Sequence, residues 1–109
     1  ASDAQVRLIQ QNFSRTRSDV SLDFEGKVEE YELGLVFIFS MTDAKGNVLI
    51  PTTRLTATRL MPYSEDDAAA KAAEMQLLYG DMEKSIADRL YRRVISEDAI
   101  ERYKQFNPQ

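Results

Sequence analysis

The hydrophobic period of this chain changes once, between Leu60 and Ala68, and that change limits the fold more than any other feature. Before it, apolar residues alternate with polar ones. Val20, Leu22 and Phe24 are separated by Ser21 and Asp23, and Tyr31, Leu33, Leu35, Phe37 and Phe39 fall on one face of an extended segment, the pattern of half-buried strands. After it, Ala68, Ala72, Met75, Tyr79, Met82, Ile86 and Leu90 recur at spacings of three and four. That is one face of an amphipathic helix about 30 residues long, laid on a sheet. Strands come first and helices second, and short turns join the strands. The expected fold class is therefore α+β: a two-layer sandwich in which an antiparallel sheet of about three to four strands is packed by a long helix and a short C-terminal helix.

Local punctuation supports these elements. Residues 5–24 read as strand, interrupted by the polar stretch "NFSRTRSD". Glu25-Gly26-Lys27 reads as a tight turn, with Gly26 free to take a positive φ. "KVEEYELGLVFIFSM" is the clearest strand, and Val36 and Ile38 begin to fill its second face. Asp43 opens the next turn and Gly46 supplies its left-handed residue. "VLIPTTRLTATRL" returns as a Thr-rich strand, with Leu55 and Ala57 inward between Arg54, Thr56 and Thr58. Pro51 cannot donate to a ladder, so it marks an edge or a bulge. Ser64 and Asp67 have capping-box spacing at the helix start. Glu65, Asp66 and Asp67 lie at its positive end, and Arg89, Arg92 and Arg93 at its negative end. Gly80 inside the helix costs about 1 kcal/mol against Ala, which a close approach to the sheet would explain. Ser96 caps the terminal helix, which carries Ile100, Tyr103 and Phe106 and stops at Asn107-Pro108,.

Composition narrows the function. The chain has 109 residues, which suits one small domain spanning 1–109,. Hydrophobic content of 43% and charged content of 29% fit a folded globular unit,. Fourteen basic and eighteen acidic residues give a formal charge of −4, against a protein that coats nucleic acid through bulk charge,. There is no Cys and no His, so cysteine nucleophiles, thiolate metal sites and Ser-His triads are ruled out. No spacing singles out a catalytic carboxylate pair, no Gly-rich phosphate loop is present, and Asp43–Asn47 is too short for a calcium loop. No cofactor is expected.

The candidate site residues are basic. Arg7, Arg15, Arg17 and Arg54 lie in the strand half, with Arg59 at its end. Arg15 and Arg17 share one strand face, as do Arg54, Thr56 and Thr58. If these strands pair side by side they form a basic stripe, and the Arg fork can bind phosphate bidentately. The competing account is a solvated face with local Asp and Glu partners. Lys71 sits one helical turn beyond the acidic cluster, where it can simply pair with Asp67 at i−4.

Several features in one order carry a resemblance. They are Gly26; Glu30-Tyr31-Glu32-Leu33 opening a long strand; a glycine hairpin; a strand ending in Arg59; Tyr63; Ala68 to Lys71 with Glu74; and the pair Arg92-Arg93. Over residues 5–95 the chain resembles the lipopolysaccharide-assembly lipoprotein family, LptE or rare lipoprotein B. The resemblance implies a non-enzymatic, lipid-anchored protein at the periplasmic face of the outer membrane. Its partners would be the LPS-assembly β-barrel LptD, whose lumen it plugs, and lipopolysaccharide, which it binds and helps to insert. The family's lipopolysaccharide-binding helix lysine falls on Lys71, while its companion arginine falls on Phe24. Arg59, Arg15, Arg17 and Lys27 are the neighbouring cations that would complete the site. The lipidated cysteine and the family's first strand would lie upstream of Ala1. The alternatives are a periplasmic interaction module without a lipid ligand and, as a third class, a carboxylate-based hydrolase.

Overall fold

The computed structural model describes residues 5–108. Three strands, β1 (Val6–Leu22), β2 (Val28–Asp43) and β3 (Val48–Pro62), form one antiparallel sheet in the order β1-β2-β3. A short 3-10 turn (Glu65–Asp67) leads into α1 (Ala68–Val94), and α2 (Glu97–Phe106) closes the chain. The two-layer α+β arrangement is as expected, with three strands. The strands are long: at about 3.3 Å per residue the 16 residues of β2 extend about 50 Å. The fold is correspondingly a rod, with Cα extents of 66 × 21 × 20 Å. Among the described residues no helix is long and apolar enough to cross a membrane.

Both hairpins follow from turn chemistry. Gly26 and Gly46 adopt φ of 80° and 89°, the left-handed conformation that side chains disfavour. β1 runs through the polar stretch without a break. Register shifts between Gln10 and Asn12 and around Asp19–Leu22 absorb the pattern changes that read as interruptions,.

Cross-strand register sorts the side chains into two faces. Arg17, Leu33 and Arg59 form one row; Arg15, Leu35 and Ala57 the next; Phe13, Phe37 and Leu55 a third. This face meets the helices. Its core is Leu33, Leu35, Phe37, Phe39, Met41, Leu49, Ile50, Ala57 and Met61, closed by Tyr79, Met82 and Ile86 of α1 and Ala99 of α2. The opposite face carries the rows Asn12–Ile38–Arg54, Ser14–Val36–Thr56 and Thr16–Gly34–Thr58. It is a hydroxyl-rich surface with no layer of the described chain on it. Gly34 sits in the central strand because Thr16 leans over it; a Cβ at Gly34 would collide with the Thr16 hydroxyl.

Two helix details differ from expectation. Gly80 does not approach the sheet, since a Cβ built there meets nothing within 4 Å; its cost to the helix has no packing explanation. The Ser64 hydroxyl accepts from Asp66 N at 3.4 Å and caps the 3-10 turn, while Asp67 makes no side-chain cap bond. In α2 the buried residue is Ala99; Tyr103 packs at the core margin, and Ile100 and Phe106 are exposed.

Candidate functional site

The register removes the condition on which a basic stripe depended, side-by-side pairing of the arginine-bearing strands. β1 and β3 do not pair, because β2 lies between them. Arg54 is in the row of Ile38 on the open face, whereas Arg15, Arg17 and Arg59 are in the rows of Leu35 and Leu33 on the helix face. Arg15 and Arg17 therefore flank the core on one side and Arg59 on the other, about 10 Å away across two strand spacings.

Each cation has a distinct setting. The Arg15 guanidinium donates to Gln76 Oε1 at 3.2 Å and to Glu83 Oε1 at 3.0 Å, and it lies 4.7 Å from the Tyr79 ring centroid. Tyr79 in turn donates its hydroxyl to the Thr16 carbonyl at 2.7 Å. Arg15 thus joins β1 to α1 through three contacts at once. Arg17 stacks 4.8 Å over Tyr31, which packs edge-on against Tyr63 with centroids 5.0 Å apart. Arg59 donates to the Thr58 carbonyl at 2.7 Å. Among the described residues neither Arg17 nor Arg59 has a carboxylate within ion-pair distance.

Lys71 is the most sheltered cation in an ion pair, with its side chain 23% exposed, and its Nζ meets Glu74 Oε2 at 3.0 Å. The partner is one turn ahead rather than Asp67 one turn behind. Asp67 has φ −115° and ψ 26°, outside helical geometry, so its side chain is not stacked beneath Lys71 as an i−4 partner must be. Lys27 bridges Glu25 at 3.4 Å and Glu65 at 3.8 Å, tying the β1–β2 turn to the start of the helical segment. It borders a cleft of about 350 Å³ that also carries Asp23, Glu29 and Asp66. Lys27 is thus a lone cation among carboxylates, the least favourable setting of the five for a phosphate.

Two features escaped sequence reasoning. Asp43 is a buried hub: Oδ1 accepts from the backbone amides of Lys45 and Asn47, and Oδ2 from the side-chain amides of Asn47 and Asn107. The other is an open groove of about 480 Å³ at the same end of the rod, lined by Val6, Met41, Leu49, Val94, Ile100 and Tyr103 among others, with Lys104 at its margin. The groove and the Asn107 contact to Asp43 depend on α2 folding back onto the sheet, which no local pattern announces.

Chemically, the helix face offers charge-assisted donors. Arg17 and Arg59 are free of carboxylates among the described residues, and Lys71 needs only to leave Glu74. Such groups meet phosphate oxygens through short, strong hydrogen bonds.

The chain is similar to known proteins in sequence and in overall fold. A family model described as LptE, lipopolysaccharide-assembly, covers residues 1–94. The solution structure of uncharacterized lipoprotein B from Nitrosomonas europaea superposes with a TM-score of 0.76 at 27% identity, covering 86% of this chain and 61% of that one. The crystal structure of rare lipoprotein B from Shewanella oneidensis superposes with a TM-score of 0.71 at 28% identity, covering 82% of this chain and 66% of that one. The chain thus spans under two thirds of the length of either structure. No curated protein matches.

Proposed function

Because the chain belongs to the LptE lipopolysaccharide-assembly family, we propose that it is a non-enzymatic assembly factor that plugs the lumen of the LptD β-barrel at the periplasmic face of the outer membrane, binds lipopolysaccharide and assists its insertion into the outer leaflet. Membrane attachment would come from an N-terminal lipid. The family assignment supports a role in lipopolysaccharide assembly; the barrel, the ligand and the location are proposed.

Shape is the observation that carries the plug role. A rod of 66 × 21 × 20 Å needs a wide lumen. An eight-strand barrel is filled by its own side chains, whereas barrels of about 22 strands enclose a plug. Barrel interiors are polar, and the open sheet face with Ser14, Thr16, Thr56 and Thr58 is chemically matched to such a wall. The rod exceeds the roughly 30 Å hydrocarbon thickness, so part of it would project beyond the wall and remain open to ligand.

For lipopolysaccharide, Lys71 is the primary contact, with Arg59 second. Arg17 is the neighbour best able to assist, because among the described residues its guanidinium is not spent on a carboxylate. Arg15 and Lys27 remain within the proposed site, but the first already holds α1 and the second stands among carboxylates. These ion pairs favour the second reading, a periplasmic interaction module without a lipid ligand.

One comparison decides between the two. Lipopolysaccharide binding is measured for the wild type and for the Lys71→Asp, Arg59→Asp double variant, with circular dichroism confirming that both are folded. The ligand reading expects binding to fall at least tenfold, since two donors become two repelling charges. Equal binding by the two proteins would sink the site, and no binding by the wild type would favour the interaction module.

A further inference from the structure

The hairpin between β1 and β2 ends in a rigid turn that displays a single aromatic ring. Asp23 builds the turn. Its Oδ1 accepts from the backbone amides of Glu25 and Lys27, both at 2.9 Å. Its own amide donates to the Lys27 carbonyl at 2.9 Å, and Gly26 N donates to the Asp23 carbonyl at 3.1 Å. Gly26 closes the turn at φ 80°. Phe24 stands in the middle of this network with its side chain fully exposed, and Leu22 and Val20 beside it are half exposed. Nothing in the described chain covers the ring.

An aromatic side chain on a fixed backbone in water is a partly pre-formed anchor: the cost of ordering its backbone is already met, and its rotamer freedom and apolar surface remain to be given up on binding. The charges around it select the partner. Asp23, Glu25, Glu29, Glu65 and Asp66 border the adjoining cleft against one cation, Lys27. A phosphate-rich lipid surface would be repelled by that rim. A protein pocket with an apolar floor and a basic rim would be attracted to it.

We propose that the β1–β2 hairpin tip is a protein-docking anchor, in which Phe24 fills an apolar pocket rimmed by Lys or Arg on the partner barrel. This rests on the reading of the chain as a barrel plug. Lys27 then leaves the lipopolysaccharide site to Lys71, Arg59, Arg17 and Arg15 and serves the docking tip, where it holds Glu25 and Glu65 in place.

The test uses the complex of this protein with the barrel. Phe24→Ala is expected to weaken the complex about tenfold or more, as truncation of an anchoring aromatic does, while Phe24→Trp retains it. Phe24 touches no core residue, so both variants should fold as the wild type does. A photo-crosslinking phenylalanine analogue at position 24 should give an adduct with the barrel. A wild-type complex that Phe24→Ala leaves unchanged, with no adduct, overturns the anchor and leaves the plug reading standing. Absence of any wild-type complex removes both. Loss of binding by Phe24→Ala to vesicles containing lipopolysaccharide, with the barrel complex intact, would assign the ring to lipid and also overturn the proposal.

Discussion

Asp43 joins three pieces of chain through one carboxylate: the end of β2, the turn to Asn47 and the residue that ends α2. It is 1% exposed. Burial alone raises its pKa. The hydrogen bonds from the side chains of Asn47 and Asn107, and from the backbone of Asn47 and Lys45, outweigh that effect and lower it from 3.8 to about 2. A carboxyl whose folded pKa is depressed contributes stability that is complete above its unfolded value and is lost as pH falls through the folded one. Asp43 should therefore stabilise the fold fully above about pH 4 and lose that contribution toward about pH 2. The expected result is that Asp43→Ala has a lower urea midpoint at neutral pH, and that the gap to the wild type narrows across this window. A gap that stays constant from neutral to pH 2 would show that the charge does not matter. Turn chemistry made part of this legible, since an Asp opening a Gly turn is a local pattern. The Asn107 contact was not legible, because its two partners are 64 residues apart. Lys71 shows the same limit: its position on the helix was readable, but its partner turned on the backbone angles of Asp67 four residues back.

At the scale of elements, the change of period predicted both the strands and the helix, because alternation and 3.6-residue spacing depend only on which face is buried. Strand order was less accessible. Whether Arg15 and Arg54 share a stripe depends on β1 and β3 pairing, but β2 lies between them, and no alternation pattern says which strand lies in the middle. The attachment of α1 is a tertiary matter too. Met82 is fully buried, and Tyr79 adds one hydrogen bond to Thr16 and a face for Arg15. Replacing Met82 with Ala should cost about 2–4 kcal/mol, the usual range for emptying a core site of this size. Tyr79→Phe, which keeps the ring but removes the hydroxyl, should cost about 1 kcal/mol. Chemical denaturation of both variants checks the ranking. A Tyr79→Phe loss as large as that of Met82→Ala would mean that the hydroxyl, rather than the apolar stripe, holds the helix down.

At the scale of the whole molecule, shape carries the functional argument. A compact domain of this length has a radius of gyration of about 13 Å, but the Cα value here is 19.2 Å. The excess comes from strands of 15 to 17 residues with one helix along them, so the core is a strip rather than a ball. Phe39, Leu33, Leu35, Ile50, Met61 and Met82, its most buried large apolar residues, are spread along that strip. Such a core leaves β1 thinly covered, and Val6, Leu8, Ile9 and Phe13 are about half exposed. Small-angle X-ray scattering of the isolated chain, extrapolated to zero concentration, should return a radius of gyration close to 19.2 Å and a pair-distance distribution with a long tail. A value near 13 Å would mean that the hairpin folds back on itself in solution. It would also weaken the argument for the plug, because a ball of this mass is only about as wide as the roughly 30 Å hydrocarbon core is thick and lacks the overhang of the 66 Å rod.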